Sequence, residues 1–486
     1  MPTALFPLHT LLRIVHAAAG GIADRTAIPF CGRRLSVFNF FVGQKTCSQG
    51  FPHVKAGMDL KPFHMNFTVH CKEGEDGFIP AFFILPNGHS GLGINIFRKA
   101  ETRMTMAKQN FYADSFAAAF AREGTFLAFL TEREASAAWE TRHAKDLRIE
   151  ALDGKTTVLA PPPGMRVTEG KAIIEDTMEN TRLLLKAKDL VYPVRGCAVM
   201  SLLKRSKING TALNKVEKPV LARILNHCLK VAAGDALLRI ADGKISAVHA
   251  GDRNDYAILE MPELFSRTAE YLETEFPGRT FAGGSFEHSM VTAVWELSGE
   301  TGLVKAYQSA LTLHGVEYGE IKPAVRLTSS DAAFRGANLY PTLFTGKRGG
   351  SVTLGNPLKL EHRDGADMKD FDAQLKLLCS QYQLAIGKLT KLLDIEISNP
   401  VNCLLRICKH IGISKKPSYE AAEQFKALNG EAPCTAHDVY FGINEVVFML
   451  QCEGASGSKV IRMEENVARA LSVRWSDFDI PCDFKW

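Results

Sequence analysis

The sequence predicts an α+β fold: a largely antiparallel sheet with packed helices, followed by a helical C-terminal unit. Three features carry that expectation. Strand signals come in pairs joined by tight turns, with Asp153-Gly154 between two alternating runs as the strongest of them. Helical periods at about 199–206, 217–233 and 262–275 fall between such pairs, and after Asp367 the strand signals nearly vanish while helical periods continue. Short connections favour antiparallel neighbours, because parallel strands need a long crossover, so a doubly wound nucleotide fold is disfavoured.

Taken in order, residues 1–103 read as a doubtful leader. They hold 12 of the 29 Phe and 6 of the 14 His without a sustained helical or strand period. The pattern changes at Met104 and Met106, so the natural product is expected to start at one of them, with the preceding segment an over-extended reading frame; the alternative is a genuine leader, poorly ordered or novel. Residues 104–164 are a helical segment plus a small hairpin unit. Gln109–Arg122 has apolar spacing suited to one buried face, and Arg148–Ala160 alternates around Asp153-Gly154. Pro161–Gly164 then breaks the chain.

The α+β body covers 165–366. Thr168–Asp189 begins acidic and carries the Leu183–Leu185 cluster, which reads as a helix. A second hairpin pairs 242–249 with 256–259 around Gly251–Asn254, and Glu287–Glu296 alternates as one long strand. Further strands are expected at 323–329, 351–354 and 358–363, with the helices on one face of the sheet. In the helical unit, 367–486, the periods fall at about 367–394, 400–411, 417–428, 436–450 and 459–473, with Ser418 as an N-cap.

Composition narrows the class. With 46% hydrophobic and 23% charged residues the chain is an ordinary soluble globular protein, neither collagenous nor wholly disordered. No run approaches the ~18–20 apolar residues of a membrane helix, and the start lacks the early basic region of a secretory signal. Eleven scattered Cys without a CxxC fit free thiols in a reducing cytoplasm, with Cys403 and Cys408 as buried core thiols. The net charge of +5 resides in residues 1–103, which hold 11 Lys+Arg against 6 Asp+Glu; the remainder holds 47 of each. A neutral body is no general polyanion binder, so any phosphate contact has to come from local clusters.

No complete catalytic or metal signature is present, so neither cofactor nor metal is expected and the reading favours a non-enzymatic protein. Gly91-Leu-Gly93 and Gly346–Ser351 lack the spacing of phosphate loops; in the second, Lys347 is followed by Arg348 where a Walker loop needs Ser or Thr. Ser285–Ser289 alternates along a strand, so Glu287, His288 and Ser289 cannot form a relay among themselves and read as a surface strand end. An enzyme would need distant groups such as His249, Asp252, His288 and Asp331 to converge. The most distinctive polar segment, Thr328–Pro341, reads as a loop at a sheet edge whose hydroxyls, Arg335 and Tyr340 suit phosphate contact and base stacking.

The stretch Ser201–Leu213, followed by Ala222–Asn226 and Gly243–His249, resembles the uncharacterised phage/plasmid-like proteins of bacterial conjugative and prophage elements, a domain-of-unknown-function family. Val325–Asp331 and Glu464–Asp479 agree, and the resemblance covers residues 145–480. It implies a bacterial, cytoplasmic, mobile-element setting and transfers no active site. The expected function is a mobile-element accessory protein binding or annealing single-stranded DNA in preference to duplex. Its candidate contacts are Lys204, Arg205, Lys207, Arg326, Ser329, Arg335, Tyr340, Lys347 and Arg348. The alternative is a protein-interaction or scaffold module whose partner docks on 367–486. No membrane partner is expected, and sequence does not give the oligomeric state.

Overall fold

Alternating apolar residues on β10 (Ile321–Ser329) and β11 (Ala337–Thr345) build the centre of the molecule. A computed structural model describes residues 110–152, 167–208, 210–297, 301–330, 332, 334–345, 350–482 and 484–486, all within one unit, residues 101–486. The leader, the segment 153–166 with its Asp153-Gly154 turn, Asp331, Lys347 and Arg348 lie outside the described residues.

The main sheet is antiparallel and seven-stranded. Its order is β1 (Ala117–Phe120), β8 (Thr280–Glu287), β9 (Met290–Glu296), β10, β11 and β12 (Gly350–Thr353), with β13 (Leu358–Leu360) also pairing β11. Because side chains alternate along a strand, Val325, Leu327, Leu339 and Leu343 point into one apolar core while Arg326, Thr328, Asn338, Tyr340 and Thr342 take the opposite face. Both faces are buried along these two strands. The core face is packed by α1 (Glu123–Ala135), α5 (Met261–Glu275), α6 (Thr301–Leu313) and α8 (Leu378–Lys391). The polar face is covered by α12 (Gly457–Arg469), which corrects the expectation of helices on a single face.

Two three-stranded antiparallel sheets form a second core. One is β2 (Ala138–His143), β6 (Asp235–Ala241) and β7 (Lys244–Ala250); the other is β3 (Leu147–Ala151), β4 (Leu183–Ala187) and β5 (Leu190–Pro193). The bridge Val194–Ile245 links them. Against them pack α3 (Ala198–Arg205) and α4 (Lys218–Val231), burying Leu202, Leu221, Leu225 and Leu229; α2 (Val167–Glu179) precedes β4.

The C-terminal stretch is mostly helical, as expected: α7 (Met368–Lys376), α8, α9 (Pro400–His410), α10 (Lys415–Asn429), α11 (Ala436–Cys452) and α12, with one short ladder, β14 (Glu396–Ile397) and β15 (Cys434–Thr435). Asp367 and Thr435 close capping boxes on α7 and α11. These helices share one apolar cluster with the main sheet, so the stretch has no core of its own to separate from it. Cys403 and Cys408 are fully buried in that cluster.

Several local expectations are corrected. Ala117–Phe120 is an edge strand, not part of a helix, because pairing with β8 outweighs an alanine-rich propensity. The helix from 168 stops at Glu179, Arg182 turns the chain in the left-handed region at φ 55°, and Leu183–Ala187 becomes the middle strand of its sheet. The second hairpin turns at Asp242-Gly243, both with positive φ, and pairs β6 with β7; 256–259 is no strand. Glu287–Glu296 spans a turn between two strands rather than a single one. Residues 337–345, read as loop up to Pro341, are a strand. Ser414, not Ser418, stands at the N-cap of α10; Ser418 is buried and its hydroxyl donates to Ser414 O at 2.9 Å.

Candidate nucleic-acid interface

Four of the candidate contacts lie inside the fold. Arg326 is buried on the polar face of the sheet with its guanidinium 4.8 Å from the centre of the Tyr340 ring; it pairs with Glu464 of α12 at 2.5 Å and donates to Thr353 Oγ1 at 3.0 Å. Arg335 reaches the same helix, at 3.0 Å to Glu465 and 3.0 Å to Ser458 O. Tyr340 donates its hydroxyl to Glu465 at 2.6 Å, and burial, then the adjacent carboxylate, push its phenol up to about 12. Ser329 is buried with its Oγ 3.4 Å from His362 Nε2. A charge removed from water has to be met by a counter-charge and hydrogen bonds, and here those partners are internal. Arg326, Arg335 and Tyr340 therefore dock α12 onto the sheet, while Ser329 meets His362 ahead of α7; the reading of this segment as a loop at a sheet edge is corrected over 337–341, which are strand.

The other described candidates sit on the connector from α3 to α4. Arg205 is buried, and its Nη2 donates to the carbonyls of Ala233, Gly234 and Asp235 at 2.8, 3.1 and 3.0 Å, fastening the end of α3 to the start of β6. It too is structural. Lys204 and Lys207 are exposed; Lys207, at φ 55°, is the left-handed residue that ends the helix and turns the chain outward. Lys215 is exposed and Lys218 half-buried, so residues 204–218 carry five basic side chains and only Glu217 as an acid. Lys218 opens α4, whose first turn holds no acid. Lys218 beside the positive end of the helix dipole is unfavourable for the helix, and Glu217 at the N-cap offsets part of that charge.

Lys218 also forms part of the rim of a cleft of about 630 Å³, whose lining includes Phe116, Asn180, Cys197, Glu287 and Phe334. Two of its lining residues, Asp114 and Arg195, belong to a network of buried charge pairs behind it. Lys244, wholly buried, meets Asp114 at 3.0 Å and also Asp176; Gly196 N donates to Asp114 at 2.6 Å; Arg195, 1% exposed, and Arg133 share Asp242 at 3.2 and 2.7 Å. Asp242 is the turn residue between β6 and β7, so the hairpin itself aims this carboxylate. His288, in the turn after β8, is buried rather than at a surface strand end. Its Nε2 touches Arg195 Nη1 and lies 2.9 Å from Ala113 O; burial, then the charges of Arg195 and Arg133, hold it down at about 2.

What remains for a ligand is Lys218, the half-buried faces of Phe116 and Phe334, and Glu287, which has no ion pair among the described residues and whose carboxyl is raised by burial. The Cys197 thiol donates to Ser246 O at 3.3 Å, and burial holds His288 as a neutral ring engaged with Arg195 and Ala113 O. Of the distant groups, Asp331 lies outside the described residues, and the other three each have local partners. His249 stacks on Tyr256 at 3.6 Å and 8°, Asp252 accepts from Asn254 N within its own turn, and His288 contacts Arg195. Among the described residues no group of three or more His, Cys, Asp or Glu could hold a metal ion, and no helix is long and apolar enough to cross a membrane.

Lys215, Lys218, Phe116 and Phe334 are candidate site residues that the sequence reading missed. The charge run 204–218 was a usable signal for the lysines. Two phenylalanines separated by more than two hundred positions give none. No protein-family model, curated protein or solved structure matches the chain.

Proposed function

We propose that the protein binds single-stranded nucleic acid, with the backbone along the exposed lysines of 204–218 and an unpaired base in the adjoining cleft. The observation that carries this reading is the continuity at Lys218 between a basic connector and a cleft walled by Phe116 and Phe334. Non-specific binders of single strands combine a basic track with aromatic faces on which bases stack, each worth about 1–3 kcal/mol. A duplex keeps its bases paired and cannot use the cleft. The setting implied by the family resemblance, an accessory protein of a mobile element acting on DNA, accords with this reading.

The test is fluorescence anisotropy of a labelled oligonucleotide with the full chain over a series of salt concentrations. Replacing Lys204, Lys207 and Lys215 together by Gln is expected to weaken single-strand binding and to flatten the log K against log salt slope by about 2, at ~0.7 for each phosphate no longer neutralised. Unchanged affinity and slope in that variant would remove the connector from the interface. If the wild-type chain binds neither strand form, the second reading gains: a protein partner on 367–486. It is supported by Leu377 and Leu384, one heptad apart on α8 and its cap and 50% and 64% exposed.

A further inference from the structure

A second concavity, of about 400 Å³, lies at the far end of the chain between the C-terminus of α9, the C-terminus of α12 and the turn that follows α12. His410, Arg469, Ser472, Arg474, Asp477 and Phe478 line it. Arg469 is exposed and has no ion pair among the described residues; Arg474 meets only Asp477, at 3.5 Å. Lys388 of α8 donates to Ser472 Oγ at 3.0 Å and brings a third cation to the rim. Cations near helix C-termini are ordinary dipole partners, but each helix end contributes only about half a negative charge. Three cations against two such ends and one carboxylate leave the rim about one charge positive. Dipole compensation also gives no reason for a concavity or for an aromatic face inside it: Phe478 lies with its ring centre 5.0 Å from that of His410.

We propose that this pocket binds a phosphate monoester carrying an aromatic ring, a nucleotide-type ligand. Arg469 and Arg474 would hold the phosphate in the paired, planar geometry that guanidinium groups offer, Ser472 adds a hydroxyl donor, and the base rests against Phe478. The volume suits a small molecule rather than a strand. Asp477 faces the same space and competes for Arg474, so it sets the affinity low in the free protein.

Calorimetric titration of the full chain at low salt with adenosine monophosphate, adenosine and inorganic phosphate tests the assignment. The monophosphate is expected to bind at least tenfold more tightly than adenosine, and Arg469→Gln and Arg474→Gln should each cost tenfold or more. Asp477→Asn should tighten binding about threefold, a gain that misfolding cannot imitate. The Lys204, Lys207 and Lys215 replacements should leave this binding unchanged. Arginine-dependent preference for a 5′-phosphorylated oligonucleotide over its 5′-hydroxyl form would support the site with a strand end as the source of the phosphate. A response to the monophosphate alone would support it with a free nucleotide. No binding by the wild type, equal binding of adenosine, or arginine variants that bind like the wild type would overturn it.

Discussion

Glu464 is 1% exposed in its side chain and faces Arg326 at 2.5 Å. Replacing Glu464 by Gln keeps the shape and strands a buried guanidinium, which typically costs about 3–5 kcal/mol. Urea unfolding of Glu464→Gln should therefore show a loss of about that size; a loss under about 1 kcal/mol, the range of a solvated pair, would mean that Arg326 is open to water. Two histidines give the molecule an acid sensitivity. Burial, Arg195 and Arg133 hold His288 at about 2, and burial holds His437, whose Nε2 lies 2.7 Å from the Tyr307 hydroxyl, at about 4. Both folded values lie below the ordinary 6.5, so the unfolded chain takes up protons first as pH falls. Stability is full above about 6.5 and declines below it. At about pH 5 each imidazole costs about 2 kcal/mol, at about 1.36 kcal/mol per unit. Chemical denaturation on either side of that value, near neutrality and near pH ~5, should show the fall, and His437→Gln should reduce it by about half. Equal stability under both conditions would contradict the burial of these rings as neutral species. From sequence, Arg326, Arg335 and Tyr340 were readable as polar residues beside a strand, but nothing local reveals that a helix over a hundred residues later covers that face.

Helix packing makes its own prediction at the scale of the element. A Cβ on Gly442 of α11 would meet Phe425 Cδ2 at 2.5 Å and Leu404 at 3.1 Å, whereas one on Gly387 of α8 meets nothing within 4 Å. Both lie in helices, where Ala is intrinsically better than Gly by about 1 kcal/mol. Gly387→Ala should raise stability by roughly that amount, while overpacking of about 1–3 kcal/mol should outweigh the propensity gain in Gly442→Ala. Thermal melts of the two variants check the opposite signs; a stabilised Gly442→Ala would show that α9, α10 and α11 are not in close contact there. Amphipathic C-terminal helices were readable because their period repeats over ten or more residues. Short apolar runs were not. Leu183–Leu185 fits a buried strand as well as a helix, and Ala117–Phe120 becomes a strand only because β8 offers it an edge.

For the whole molecule the decisive feature is the meeting of two cores. Lys244 and Arg195 come from the smaller sheets, and Asp114, Arg133 and His288 from segments next to the main sheet; their pairing lies behind the cleft. Pairs such as Lys244 with Asp114 lie 130 positions apart, so no spacing rule could have announced them, and the α+β class was recovered without the site it builds. Under the proposed function, the connector lysines and the two phenylalanines are the surface offered to a strand. Ultraviolet cross-linking of the full chain to a single-stranded oligonucleotide, followed by peptide mapping, tests this most directly. Cross-links on 204–218 and on the peptides bearing Phe116 and Phe334, abolished by competition with unlabelled single strand but not with duplex, are the predicted result. Cross-links confined to other peptides, or equal competition by duplex, would contradict it.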